Sequence, residues 1–402
     1  MVDAPLRHVD DVERRARLGI RHRLAVEFRT DDVVAVTDSL VALHSSDPAT
    51  VHLSVMARMA HPAFGPLDRA LYDDRTLLRH HAMRRTLWVD TPQVARWAHA
   101  ACTTDIAATE ERKLVQLVAA NGLSDDPLGW VQARRDDLLA VLDRLGSATA
   151  RQVGAAAPEL AVKLLMPGAP GVEATQGAHT RLLVNLGFEG SAVRGRPTGS
   201  WTASEYMWET ARSRLPDGLH GVDVHEAARS LVECYLRAFG PATTADVQWW
   251  MGWTMARTKR ALADAGAVPV STDAGAAWLH PDDAEPVEAP AHWVALLPAL
   301  DPTTMGWKQR EFALGAHGAF GGPLFDRNGN AGPTVWVDGR VVGGWGQRRD
   351  GEVLVRLLEP VDRATARRVD EAGAVLGDLL AGAVVKPRFP TPLQKELAAT
   401  PI

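Results

Sequence analysis

The sequence predicts an α+β protein, mainly α, built from tandem winged-helix units followed by a small C-terminal β-barrel or sheet. Three observations carry this expectation. Two internal segments repeat one order of helices and turns, the N-terminal third reads as a distorted copy of that order, and beyond residue 288 helical spacing gives way to alternating strands. The corresponding division is 1–125 for an N-terminal helical and winged-helix-like unit, 126–215 and 216–288 for two further winged helices, and 289–402 for the terminal sheet or barrel with a closing helix.

The N-terminal third opens with an arginine-rich amphipathic stretch, "RRARLGIRHRL". Val33 to Leu43 then reads as a helix, Pro48 to Met59 as a second and "LDRALYDD" as a third, with "TLLRHHAMRRTLWVDTP" alternating like a pair of wing strands in which Arg79 to His81 form an edge. The second unit runs through "LLAVLDRLGSATARQVGAAAPEL" and the Pro/Gly-rich insert "MPGAPGVEATQG", and resumes at "AHTRLLVNLGFEGSAVRGRPTGSWTASE", its third helix closing at Gly187. In the third unit Thr243 or Thr244 can cap a short helix, Gly252 and Trp253 make the turn, and Thr254 starts a helix that closes at Gly266. The exposed side of that helix carries Arg257, Lys259 and Arg260, the side chains a recognition helix would present to DNA. Packing against protein is the alternative role for such a unit. Beyond "HPDDAEPVEAPAHW", the runs "WVALLPALDP", "TVWVDGRVVGGWGQRR" and "EVLVRLLEP" are strand-like, with Asp338-Gly339 as a hairpin turn, before a helix from about Arg363 to Ala381 and a Pro-punctuated tail.

Composition narrows the function classes. A chain of 402 residues, 46% hydrophobic and 23% charged, can bury two or three cores. It has no apolar run resembling a signal peptide or a membrane span, so a cytoplasmic protein without membrane association is expected. Cys102 and Cys234 lie in apolar helical patterns and read as core thiols, and no metal or other cofactor is expected. The net charge of −5 argues against indiscriminate coating of nucleic acid. Arginine is nevertheless concentrated at Arg7, Arg14, Arg15, Arg17, Arg21, Arg23 and Arg29, which permits a directed basic surface or a solvated helix face.

Chemistry is most available at the break "HSSDP". Asp47-Pro48 suits a helix start, aspartate as cap and proline at the first position. His44 and Ser46, two residues apart, could orient a water through an imidazole and a hydroxyl, or serve as hydrogen-bonded structural residues. The stretch "FDRNGNAGP" imitates a calcium loop, but Ala331 and Val337 stand where that loop requires glycine and glutamate. It reads instead as a polar pocket lining in which Arg327, Asn328 and Asn330 could meet phosphate or a base edge. With no Walker loop and no Gly-x-Ser-x-Gly elbow, a nucleotide cofactor and serine hydrolase chemistry lose ground.

Together "RRARLGIRHRL", "LVALHSSDPATVHLSVMAR", "MRRTLWV", the two repeated segments and "LLPALDPTTMGW" resemble the AlkZ-like (YcaQ-like) DNA glycosylases, over most of the chain. The resemblance implies tandem winged helices and a small barrel in a C-shape around a DNA-sized channel. It implies release of bulky alkylated or crosslinked bases from double-stranded, damaged DNA, in DNA repair or genotoxin resistance. Where those glycosylases carry Gln-x-Gln or Gln-x-Asp to position the attacking water, this chain has His44 and Ser46, as in a histidine-bearing branch. The catalytic set would then be His44, Ser46 and Asp47, with Asp47 supplying negative charge to an oxocarbenium-like sugar. DNA would meet Arg84, Arg85 and Thr86 of "MRRTLWV", Arg257, Lys259 and Arg260, and Arg327, Asn328 and Asn330. The alternative is a non-catalytic DNA-binding or regulatory protein of the same fold.

Overall fold

The computed structural model describes residues 6–167 and 174–401. Part of the Pro/Gly-rich insert, residues 168–173, lies outside the described residues. Among the described residues the architecture is α+β and mainly helical, with several small sheets and no closed barrel. Among the described residues no helix is long and apolar enough to cross a membrane.

In the segment predicted as the third unit, the helices start where the punctuation places them. Helix Val224–Phe239 starts on an Asp223 cap, Thr243 and Asp246 make a reciprocal capping box on Thr244–Met251, and Thr254 caps Met255–Asp264. The hairpin Val268–Thr272 and Gly275–Leu279 follows, joined on its other edge by the short parallel strand His8–Val9. Beneath these helices lies an aromatic core. Tyr235 packs on Phe239 at 5.0 Å, Phe239 on Trp307 at 5.2 Å, and Trp250 on Trp88 at 5.6 Å. Trp88 therefore anchors the N-terminal third to the third unit.

The second unit differs at its predicted stop. Its third helix, Ala178–Glu189, runs through Gly187 and ends at Gly190, whose φ of 84° closes the last turn. Gly187 is retained for packing: a Cβ there would stand 2.4 Å from Nδ1 of His81. The strands that follow, Ala192–Pro197 and Tyr206–Thr210, do not form an isolated wing. They join one five-stranded sheet in the order Leu43–His44, Leu87–Asp90, Leu78–His81, Ala192–Pro197, Tyr206–Thr210. Strand Leu78–His81 is thus central and fully buried, which corrects the expectation that Arg79 to His81 form an edge.

A second correction concerns the break itself. The helix expected over Val33 to Leu43 ends at Asp38, because Val41 turns the chain with a φ of 64° and Leu43–His44 then pairs with Leu87–Asp90 as a strand. Helix Pro48–Met56 restarts on Asp47, as the Asp-Pro pair predicts. The C-terminal strands form an open four-stranded meander, Val294–Leu297, Thr334–Val337, Arg340–Gln347 and Val353–Leu357, with Asp338-Gly339 at positive φ in the tight turn. Helix Arg363–Leu380 packs against it, and the tail adds a short helix, Pro392–Ala398.

The arginines of the first thirty residues are turned to internal contacts. Arg14 and Arg17, on helix Asp11–Arg21, are buried. Arg17 bonds Glu13 at 2.6 Å and Asp283 at 2.8 Å, Arg7 pairs with Glu13, Arg21 reaches Asp283, and Arg15 donates to the Phe312 carbonyl. They stitch the N-terminal helix to later segments of the chain, so the permitted basic surface is not built here.

Candidate functional site

Pairing of His44 with Trp88 across the sheet puts successive residues of the break on opposite faces. The His44 ring meets Trp88 edge-on at 5.0 Å, whereas the Ser45 hydroxyl accepts from Arg79 Nε at 2.9 Å on the other face. The amide N–H of Ser46 points at Nδ1 of His44 at 3.4 Å, which leaves the ring proton on Nε2. Burial, with the Arg84 guanidinium adding to it, pushes the His44 pKa down to about 3, so the imidazole is neutral at physiological pH.

Ser46 is half-buried. Its carbonyl accepts from Arg388 Nη1 at 3.0 Å, and among the described residues its hydroxyl makes no hydrogen bond. Asp47 is only 3% exposed. Oδ1 accepts from the Ala49 amide at 3.2 Å and Oδ2 from the Arg388 amide at 3.1 Å. Burial raises its pKa against the pull of those two amides. Asp47 also lines a cleft with Thr50, Trp345, Gln347 and Gln394. No hydrogen bond joins Asp47 to His44: the cap holds the segment, and the imidazole lies on the Trp88 side.

The predicted basic residues separate into three places. Arg84 and Arg85 are the two central residues of the tight turn joining Leu78–His81 to Leu87–Asp90, both in the left-handed region, φ 54° and 61°. This turn favours Asn-Gly, and two arginines there hold strain of the kind found at functional sites. Thr86 closes it, its N–H bonding the Met83 carbonyl at 3.2 Å and its hydroxyl the same oxygen at 2.9 Å. The Arg84 guanidinium stacks over Trp249 at 4.3 Å and stands 5.8 Å from the Trp88 ring. Burial, then Arg310, lowers its pKa to about 10, which leaves it charged.

Arg257 reaches the same cleft from the third unit, paired with Asp105 at 3.2 Å and lying over Trp253 at 5.1 Å. Arg84, Arg85, Thr254 and Arg257 together line about 930 Å³ of open space. Two sequence-distant arginine groups therefore converge, and Trp88 connects them to His44.

Lys259 and Arg260 lie further along the exposed face of the same helix, outside that lining. Arg327 and Asn328 are exposed on their loop, but the Asn330 side chain is committed to it, donating Nδ2 to Asp326 at 2.8 Å. The Asp326 carboxylate also accepts from the Asn328 and Asn330 amides, both at 2.8 Å. N–H donors occupy the oxygens that a calcium loop would direct at a cation, in line with the sequence argument against one.

Sequence reasoning did not single out Trp88, Arg194 or Arg388, and gave Arg79 only a place on a strand edge. Trp88, Arg79 and Arg194 follow a usable signal, a large polar or aromatic residue inside a short apolar strand. Arg388 in the tail offers none.

The fold is that of a DNA glycosylase. The chain is similar to the Streptomyces sahachiroi DNA glycosylase AlkZ with a TM-score of 0.69 at 20% identity, covering 96% of this chain and 99% of that one. The model of the family described as "DNA glycosylase AlkZ-like" matches residues 37–381, and the chain belongs to that family. No curated protein matches it.

Proposed function

We propose that this protein is a monofunctional DNA glycosylase acting in DNA repair or genotoxin resistance, hydrolysing the N-glycosidic bond of bulky alkylated or crosslinked bases in double-stranded DNA. The observation that carries the reading is the convergence of Arg84, Arg85 and Arg257 on one cleft, with Arg84 standing 5.8 Å from the Trp88 ring against which His44 packs. Phosphates would meet the arginines, with Thr86, Lys259, Arg260, Arg327 and Asn328 adding contacts along the duplex.

With its proton on Nε2, His44 donates to a water oxygen while the free Ser46 hydroxyl accepts a hydrogen bond from that water. The water adds to C1′ as the base departs with the bonding electrons, and the surplus proton passes to solvent. A cationic lesion such as N7-alkylguanine leaves without prior protonation, so orientation of the water supplies most of what the reaction needs. Asp47, fixed by the Ala49 and Arg388 amides, contributes negative charge toward the oxocarbenium-like sugar.

Purified protein incubated with duplex containing N7-alkylguanine, then treated with alkali, should yield strand breaks at the lesion. His44→Ala should lower the rate about 100-fold or more, whereas His44→Gln, which keeps an N–H donor, should retain a larger share. Because His44 is neutral far below its ordinary 6.5, the rate should show no limb near that pH. A limb near 6.5 that disappears in His44→Gln would contradict this assignment. If a broad lesion panel gives no abasic sites while folding and duplex binding are intact, the non-catalytic DNA-binding reading stands. The engagement of both Asp47 oxygens by backbone amides is the observation that favours that alternative.

The strained turn gives a second test. Changing Arg84-Arg85 to Asn-Gly should raise folding stability by about 1 kcal/mol. The same change should weaken duplex binding and flatten the log–log salt slope by about 2. Urea unfolding and fluorescence anisotropy over a salt series read the two effects separately.

A further inference from the structure

On the sheet face opposite His44, four guanidinium groups gather, and only the outermost, Arg196, is paired with an acid. Arg79 and Arg194 are cross-strand partners, and each is backed by an aromatic ring, Arg79 by Tyr206 at 4.5 Å and Arg194 by Trp208 at 3.5 Å. Two residues along the same strand, Arg196 lies over Tyr72 at 4.5 Å. Arg388 comes from the tail, fixed by its hydrogen bonds to Ser46 and Asp47.

The partners of these groups differ. Arg196 pairs with Asp73 at 3.1 Å, and Arg79 is satisfied by neutral oxygens, Ser45 Oγ at 2.9 Å and Tyr72 Oη at 2.6 Å. Asp68, which acts on Arg79 from a distance, is hydrogen-bonded to His52. Arg194 has nothing comparable. Among the described residues its guanidinium makes no hydrogen bond or ion pair, and its Nε is buried without an acceptor. The Tyr206 hydroxyl is likewise buried without a partner. Burial, with Arg79 and Arg388 near it, lowers the Arg194 pKa to about 9, so it still carries its charge at neutral pH.

Buried donors in native proteins are almost always satisfied, and an unpaired buried cation among like charges is costly. Arginines held flat on aromatic rings present fixed forks that match the oxygens of phosphate. We propose that Arg194 and Arg388, with Arg79 and the Tyr206 hydroxyl behind them, bind one phosphate group, as a phosphodiester of the DNA strand whose sugar reaches His44 and Ser46. The DNA part rests on the glycosylase reading, while the anion site itself does not. Because Arg388 also holds Ser46 and Asp47, occupancy of this site would brace the break from behind while the arginine cleft engages DNA in front.

The test uses the full chain, inorganic phosphate and a short undamaged duplex, so its outcome is independent of base release. Phosphate should raise the melting temperature above that in chloride at equal ionic strength, and Arg194→Gln and Arg388→Gln should each abolish most of that difference. Both variants should also weaken duplex binding about tenfold and reduce the salt slope by about 1. Arg388 is exposed, so its variant reports even where Arg194→Gln misfolds. Loss of the phosphate response with unchanged duplex binding upholds the site for a free anion and removes the strand contact. If a folded Arg388→Gln matches the unsubstituted protein in both responses, the proposal is overturned.

Discussion

Replacing Asp301 with alanine is expected to cost about 3–5 kcal/mol of folding stability, because it strands a buried cation. Arg58 and Asp301 are fully buried and paired two-pronged, Nη1 to Oδ2 at 2.9 Å and Nη2 to Oδ1 at 2.7 Å. Ser54 donates to the same carboxylate at 2.7 Å and the Thr303 amide at 2.9 Å. Arg58 bonds the Thr303 hydroxyl and the His22 carbonyl as well, and the His22 ring links that hydroxyl to the Ala238 carbonyl. Residues far apart in sequence thus meet around one ion pair, a few turns along the helix that starts at Asp47.

Without the carboxylate, Arg58 is left unpaired in a dry core and four donor groups lose their acceptor. Asp301→Asn should fall between the two, since an amide oxygen still caps Pro302–Met305 but cannot receive both Arg58 nitrogens. The pH dependence has a definite sign. Burial works to raise the Asp301 pKa, yet Arg58 and the Ser54 and Thr303 hydrogen bonds outweigh it and hold the group below 3.8. Its contribution is therefore complete above 3.8 and disappears as pH falls through the lowered folded value. Urea midpoints at neutral pH, compared at constant m, check the mutational part. A loss below about 1 kcal/mol in Asp301→Ala would contradict it.

Local punctuation explains what was legible in the sequence. Caps at Asp47, Thr243 and Thr254, the Asp338-Gly339 turn and the alternation of the C-terminal strands act over a few residues, and each produced its expected element. Errors arose where distant chain decided the outcome. Gly187 reads as a stop, but His81 from another strand occupies the space of its missing Cβ. Arg79 reads as an edge residue, but strand Ala192–Pro197 from the next unit covers it. The N-terminal arginines read as a possible surface because Asp283, which holds Arg17 and Arg21, and the Phe312 carbonyl, which holds Arg15, lie more than 200 residues away. At the candidate site the residue types were visible, whereas the sheet that puts His44 and Ser45 on opposite faces was not.

Acid should unfold this protein well above the range that carboxylates alone would set. His22, His44 and His99 are buried as neutral rings with pKa values near 3, and His81 lies well below 6.5. Burial is the first cause in each, reinforced by Arg58 at His22, Arg84 at His44, His220 at His99 and Arg194 at His81. In the unfolded chain these rings take up protons around 6.5, while the folded state refuses them until far lower pH. The unfolded state therefore binds more protons throughout that window, and stability falls as pH falls. Each ring costs about 1.4 kcal/mol per pH unit, so the four together cost about 5–6 kcal/mol per unit. Against a typical total of about 5–15 kcal/mol, about one to three units below 6.5 is enough to unfold the chain. Asp47 and Asp90, which burial pushes up, oppose this in a window that opens above 3.8. Urea unfolding between pH 7.5 and 5 should show that slope, and His44→Gln should make it shallower by removing one of these rings. Stability that stays level down to about pH 5 would mean that the folded protein admits protons to these rings, and the neutral His44 on which the water-orienting role depends would fall with it.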